Sequence, residues 1–288
     1  MKNFSPLRYP GGKSKLTPFL ESIIKRACPS CKTYIEPFAG GAGIALNLLF
    51  NQKVNNVVIN DKDKAIYSFW KAILHETEAF LDKIKSTPVT IDEWYKQKYI
   101  YKKEKKYSLE LGFATFFLNR TNRSGILTTA GPMGGYAQSG NWLIDSRYKR
   151  DDLIEKIKRI SRHKNHIKVY NQDIFTFIRN IIPNFSDDAF VYFDPPYYVK
   201  GKKLYQNFFV HEDHERLADC IKTQVRCPWI VTYDNSPEIA KMYQGFLSRT
   251  FDIEYSVSKR GVGTEIAIFK DQCYLPSESR KRKKLIVV

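Results

Sequence analysis

Apolar positions along the chain change period several times, and the changes divide it into short buried strands and amphipathic helices. Tyr34 to Glu36, Val54 to Asn60, Ile167 to Tyr170, Ala189 to Phe193 and Trp229 to Tyr233 read as short buried strands, most of them separated by helical patterns. The longest helical pattern runs from about Lys62 to Lys85, where Ile66, Phe69, Trp70, Ile73, Leu74, Phe80, Leu81 and Ile84 recur on one face, with Asp61 placed to cap it. Near the C-terminus, Phe251 to Ser258 and Thr264 to Lys270 alternate around Lys259-Arg260-Gly261-Val262-Gly263, which predicts a hairpin closing a sheet edge. The βα alternation at both ends predicts an α/β fold with a mostly parallel sheet, and there are no internal repeats.

Between the two βα regions the text changes character. Trp94 to Tyr107 interleaves aromatics with lysines, and Thr121 to Trp142 is rich in Gly, Ser, Thr and Asn with few charges, which predicts an ordered loop or hairpin. Charge sharpens this division. The 288 residues carry a net charge of +17, which favours a polyanionic partner. Sixteen Lys and Arg against eight Asp and Glu lie between Pro88 and Lys164, and the basic run Arg280 to Lys284 adds to the excess.

Other compositional features exclude more than they suggest. No run approaches the roughly 20 apolar residues of a membrane span, and Met1 to Tyr9 does not resemble a secretory signal, so a cytoplasmic, membrane-free protein is expected. Five cysteines are an odd number without disulfide-like spacing. Cys28 and Cys31 form half of a zinc pattern, but Cys220, Cys227 and Cys273 supply no second pair, so no metal is expected. His163, His166, His211 and His214 stand in polar surroundings and read as surface residues.

Two motifs carry chemistry. Asp194-Pro195-Pro196-Tyr197 follows the predicted strand Ala189 to Phe193 directly, at the strand end where open α/β sheets bind ligands. Its carboxylate, rigid prolyl carbonyls and aromatic ring suit an aromatic amino group, whose nitrogen becomes nucleophilic when acceptors draw on its hydrogens. Tyr34 to Gly43 runs from a strand into a glycine-rich turn, but Leu46 stands where a dinucleotide fingerprint wants its third glycine. With Asp61 ending the next strand as a ribose acceptor, a nucleoside ligand without pyrophosphate fits. Gly11-Gly12-Lys13-Ser14 looks like the end of a P-loop, yet Leu7 replaces the required first glycine and no strand precedes it.

In this order, these segments resemble the Dam-type, D12 class family of DNA N6-adenine methyltransferases. Tyr9 to Lys13 looks like the family's N-terminal cofactor motif, Tyr34 to Gly43 like its glycine-rich motif, and Asn60-Asp61 like its ribose-binding acid. Leu118 to Ile126 looks like the start of its target-recognition hairpin, Gln172 to Phe175 like its adenine-contacting motif, and Asp194 to Tyr197 like its catalytic motif. The resemblance implies a Rossmann-like class I methyltransferase sheet from 1–75 and 165–288, interrupted by a mainly helical target-recognition domain over 76–164. It implies S-adenosylmethionine as cofactor, held by Tyr9, Lys13, Glu36, Phe38, Gly40, Gly41, Gly43, Asp61, Asp173 and Asp194, with no metal. Catalysis falls to Asp194, Pro195, Pro196 and Tyr197, and contacts to double-stranded DNA to Asn119, Arg120 and Arg123. A cognate restriction endonuclease is the implied functional partner.

The chain departs from the family where Ser124-Gly125 is followed by Ile126-Leu127-Thr128-Thr129 in place of Asn-Gly and a base-reading arginine, so recognition of GATC is not carried over. Two other readings stay open: methylation of another planar amino group, such as cytosine N4 or a protein amide, and an inactive DNA-binding protein of the same fold. The first usually has Ser or Asn where Asp194 stands, and the second has no need of that carboxylate.

Overall fold

The structure, a computed structural model, describes residues 3–8, 13–199, 209–255, 261–271 and 274–275, with the backbone alone at 253–255 and 261–262. Tyr9, the turn at Lys259-Arg260 and the basic run Arg280 to Lys284 lie outside the described residues. Strands β1 (Thr33–Glu36), β2 (Asn56–Asn60), β3 (Ile167–Tyr170), β4 (Ala189–Phe193), β5 (Trp229–Asp234), β6 (Leu247–Tyr255) and β7 (Gly261–Phe269) form one sheet in the order β3-β2-β1-β4-β5-β7-β6. The first five are parallel, and β7 inserts antiparallel between β5 and β6, with Thr232 opposite Ala267 and Asp234 opposite Glu265. This is the expected Rossmann-like methyltransferase sheet with its C-terminal hairpin.

Side chains alternate between the sheet's two faces, and each face has its own core. Tyr34, Tyr192, Ile230 and Ala267 share one cluster with α1 (Thr17–Ala27), α2 (Gly43–Phe50) and α3 (Lys64–His75). That cluster continues into α4 (Thr77–Ser86), α6 (Leu109–Thr121) and α7 (Arg150–Ser161), while α5 (Ile91–Lys103) packs its Trp94 against the same group. Ile35, Val191, Val231 and Ile268 line the opposite face under α8 (Ile174–Asn180), α9 (His211–Gln224) and α10 (Pro237–Met242).

The residues between α3 and β3 thus form four α-helices and an ordered loop. Ser108 and Thr90 cap α6 and α5 by accepting the Leu111 and Glu93 N–H groups. Helix α6 is buried from Leu111 to Asn119 and lies against α3 so closely that a Cβ at Gly112 would meet the Ser68 carbonyl at 2.6 Å. Among the described residues no helix is long and apolar enough to cross a membrane.

Two expectations are corrected here. The single helix expected over Lys62 to Lys85 is two, α3 and α4, broken at Glu76 (φ −125°, ψ 37°). The apolar pattern runs through the break because both helices bury against α6, with Phe69 5.9 Å from Phe80 and 6.0 Å from Phe116. The cap of α3 is Asp63, which accepts the Ala65 N–H, whereas both Asp61 oxygens already serve the Gly40 and Asp63 N–H groups.

Candidate active site

Parallel strands end together, so β1, β2, β4 and β5 deliver Glu36, Asn60, Asp194 and Asp234 to one edge of the sheet. Between β1 and β4 the strand order reverses, which opens the crevice where such sheets bind ligands. Glu36 is the last residue of β1 and Asp194 the first beyond β4, and both continue the face that carries Tyr34 and Tyr192.

Lys13 reaches this edge of the sheet from the N-terminal segment, with its side chain only 1% exposed. Its Nζ donates to Oδ1 of Asp194 at 2.6 Å and to Oγ1 of Thr232 at 2.9 Å, and pairs with Oε2 of Glu265 at 2.8 Å. Tyr197 donates its hydroxyl to Oε1 of Glu265 at 2.6 Å, and Lys13 lies 5.3 Å from the centroid of its ring. Tyr192 and Thr232 join their hydroxyls at 2.8 Å, completing a polar network beneath Asp194-Pro195-Pro196-Tyr197.

Burial pushes the Asp194 carboxyl above its usual range against the opposing pull of Lys13, while the Glu265 charge raises it further. Lys13 answers in kind: burial disfavours its charge, but Asp194 and Glu265 outweigh burial and hold its pKa above the ordinary value. The Asp194 side chain remains 22% exposed, and its contacts to Lys13 and Thr232 both fall on Oδ1. Pro195 is buried and Pro196 half-buried. Tyr197 is 3% exposed, so little of its ring is open to a stacking partner in this conformation.

The glycine-rich turn is fixed from two sides. Gly40, at φ 47° where a side chain is disfavoured, donates to Asp61 Oδ2 at 2.9 Å and accepts from the Trp70 indole at 2.9 Å. Glu36 accepts the Ala45 N–H at the start of α2, its pKa is pushed well up by burial and by Asp194, and its buried Oε2 has no hydrogen-bond partner in the described chain. Burial, followed by Asp63, raises Asp61 to about 7. Gly41 is buried and Gly43 half-buried, Gly43 within 3.4 Å of Ser14 at its would-be Cβ; the half-buried Phe38 packs on Phe209. Asp173 is exposed and caps α8 through Oδ1, which accepts the Phe175 and Thr176 N–H groups.

Of the three residues expected to touch DNA, the structure exposes one. Asn119 is 1% exposed and turned inward: its amide donates to the Arg8 and Gly125 carbonyls and accepts the Arg8 N–H at 2.6 Å. Arg120 is half-buried and bonds the Arg147 and Pro6 carbonyls. Arg123 is exposed. Beside it, Ser124 and Gly125 take positive φ, and a Cβ at Gly125 would fall 2.3 Å from the Arg8 carbonyl.

Thr232 and Glu265 escaped the sequence reading. Glu265 had a signal, since it is a lone carboxylate in the apolar alternation Ile266, Ala267, Ile268. His214 is also corrected: it is buried among Tyr198, Phe209 and Tyr233, and burial lowers it to about 4. Among the described residues no group of three or more His, Cys, Asp or Glu is placed to hold a metal ion.

The chain is similar to several known proteins. The type II methyltransferase M.MjaIII of Methanocaldococcus jannaschii is 24% identical, over 93% of this chain and 96% of its own length. The type II methyltransferase M.CviBI of Paramecium bursaria Chlorella virus NC1A is 25% identical, over 90% and 95%. Among solved structures, the rRNA methyltransferase aviRa of Streptomyces viridochromogenes overlays at a TM-score of 0.42 and 13% identity, covering 91% of this chain and 86% of that one. The D12 class N6 adenine-specific DNA methyltransferase family matches residues 9–260, most of the sequence, and the chain belongs to that family.

Proposed function

We propose that the protein transfers a methyl group from S-adenosylmethionine to the exocyclic N6 of an adenine in double-stranded DNA. The observation that carries this reading is Asp194, held by Lys13 at 2.6 Å beyond β4, beside the crevice between β1 and β4. The cofactor fits the residues present. Oε2 of Glu36 is a buried acceptor without a donor, and each Asp61 oxygen takes a single N–H, which leaves capacity for two ribose hydroxyls. When bound, S-adenosylmethionine supplies an electrophilic methyl group on a positively charged sulfur.

The rest is done by the chain. The Asp194 carboxylate and the Pro195 carbonyl accept hydrogens from the amino group, draw its nitrogen out of conjugation and stabilise the positive charge that grows there. Lys13 and Thr232 fix the carboxylate's orientation, and the target base leaves the helix at a cost of roughly a few kcal/mol. Residues 76–164 serve as the target-recognition domain, with Arg123 as a reader of base edges. Because both relatives named above are type II methyltransferases, a cognate restriction endonuclease is the proposed functional partner.

Asp194→Ala tests the chemistry. Methyl transfer to DNA should be lost while calorimetric binding of duplex persists. Near-normal turnover in that variant would refute the assigned role.

A further inference from the structure

We propose that the groove between the N-terminal segment and the loop from Asn122 to Arg147 is a second nucleotide-holding site, which takes one phosphodiester and its base from the DNA. The proposal rests on the reading of DNA as substrate and adds a site outside the catalytic crevice.

The groove has a volume of about 610 Å³, and Arg8, Arg123 and Arg147 line it with Tyr136 and Trp142. None of its lining residues is an Asp or Glu. Two of these guanidinium groups repel each other: the pKa of Arg8 is lowered by burial first and by Arg147 next. A phosphate placed among them removes that repulsion and can accept forked, charge-assisted hydrogen bonds.

The aromatic groups point to the rest of a nucleotide. Trp142 is 68% exposed, whereas Trp70, Trp94 and Trp229 are each 1% exposed. The Arg147 guanidinium lies 5.6 Å from the Trp142 ring centroid. Tyr136, 57% exposed, stacks on Tyr95 at 6.2 Å with an interplanar angle of 18°. Large exposed rings beside cations are the elements that hold bases and backbone in proteins that bind unpaired nucleotides.

The loop is built rather than loose. Asn122 and Pro132 form a bridge, Met133 donates to the Thr121 carbonyl, and Gln138 ties the Met133 and Gly135 carbonyls to the Ile144 N–H. Asn119 clamps Arg8 at both its N–H and its carbonyl. Lys13 follows Arg8 by five residues, a span of at most about 18 Å. The groove therefore begins within that reach of the residue that holds Asp194.

Trp142 supplies its own probe, since it is the exposed one of four tryptophans. Full-length protein is titrated with a fluorescein-labelled duplex by anisotropy, and acrylamide quenching of tryptophan emission is measured with unlabelled duplex. Binding should shield the accessible emission from acrylamide, and Trp142→Phe should remove that change. Trp142→Ala should weaken duplex binding by about tenfold. Arg147→Ala should reduce the slope of log affinity against log salt by about 0.9, the value of one phosphate contact. Unchanged cofactor binding in each variant serves as the check on folding. Duplex binding with unaltered quenching and an unaltered salt slope would overturn the site and leave the methyltransferase reading standing, whereas a wild-type protein that binds no duplex would overturn both.

Discussion

Lys13 and Asp194, 181 residues apart, meet at 2.6 Å in a buried crevice, and Glu265 shares the same ammonium at 2.8 Å. The N-terminal segment is thereby part of the wall of the candidate active site. Removing the cation leaves two carboxylates facing each other in a poorly solvated place. Lys13→Met should cost about 3 kcal/mol of stability in chemical denaturation and remove most activity. Adding Glu265→Gln should recover part of the stability, because the double variant buries less uncompensated charge. Additive losses in the cycle would show that the ion pair is not coupled as described.

Tyr197 is tied through its hydroxyl to Glu265. Tyr197→Phe keeps the ring and loses a hydrogen bond to a charged group, so stability should fall by about 2 kcal/mol. Cofactor affinity should change little. A variant as stable as the wild type would place the Tyr197 hydroxyl in water.

Asp61 provides a pH signature. Its pKa in the folded chain, about 7, lies above the ordinary carboxyl value, so the folded state holds the proton more tightly than the unfolded one. Its contribution is therefore fully present at low pH and is lost as pH rises through about 7. Relative to Asp61→Asn, the melting temperature of the ligand-free wild type should fall between about pH 4 and about pH 7 and level off above. Parallel profiles for the two proteins would contradict the burial of this carboxyl.

Much of the fold was legible because its strands are short, buried and apolar: Ile167 to Tyr170 and Ala189 to Phe193 fall where the pattern put them. The break at Glu76 was not, since Phe69 and Phe80 bury against one partner and preserve the helical period across it. At the site, Asp194 and Asp61 stood out by their place after strands. Glu265 and Thr232 did not, because their meeting with Lys13 depends on the antiparallel insertion of β7. Asn119 was misplaced for a related reason: an amide suits a base edge and a buried carbonyl equally, and only packing against Arg8 decides.

That choice can be measured. Asn119→Ala deletes the bonds that clamp Arg8 and leaves buried backbone groups unpaired, so it should destabilise by about 2 kcal/mol without altering which site is used. Arg123→Ala should leave stability within about 0.5 kcal/mol and relax site choice in methylome sequencing. The reverse pattern would return Asn119 to the DNA surface.

The central claim is the identity of the methylated atom. Purified protein is incubated with S-adenosylmethionine carrying a radiolabelled methyl group and with mixed-sequence duplex DNA; the DNA is digested to nucleosides, and the labelled product is separated and identified. Label in N6-methyldeoxyadenosine, absent when Asp194→Ala replaces the wild type, is the predicted result. Label in N4-methyldeoxycytidine, or duplex bound with no label transferred, would contradict it.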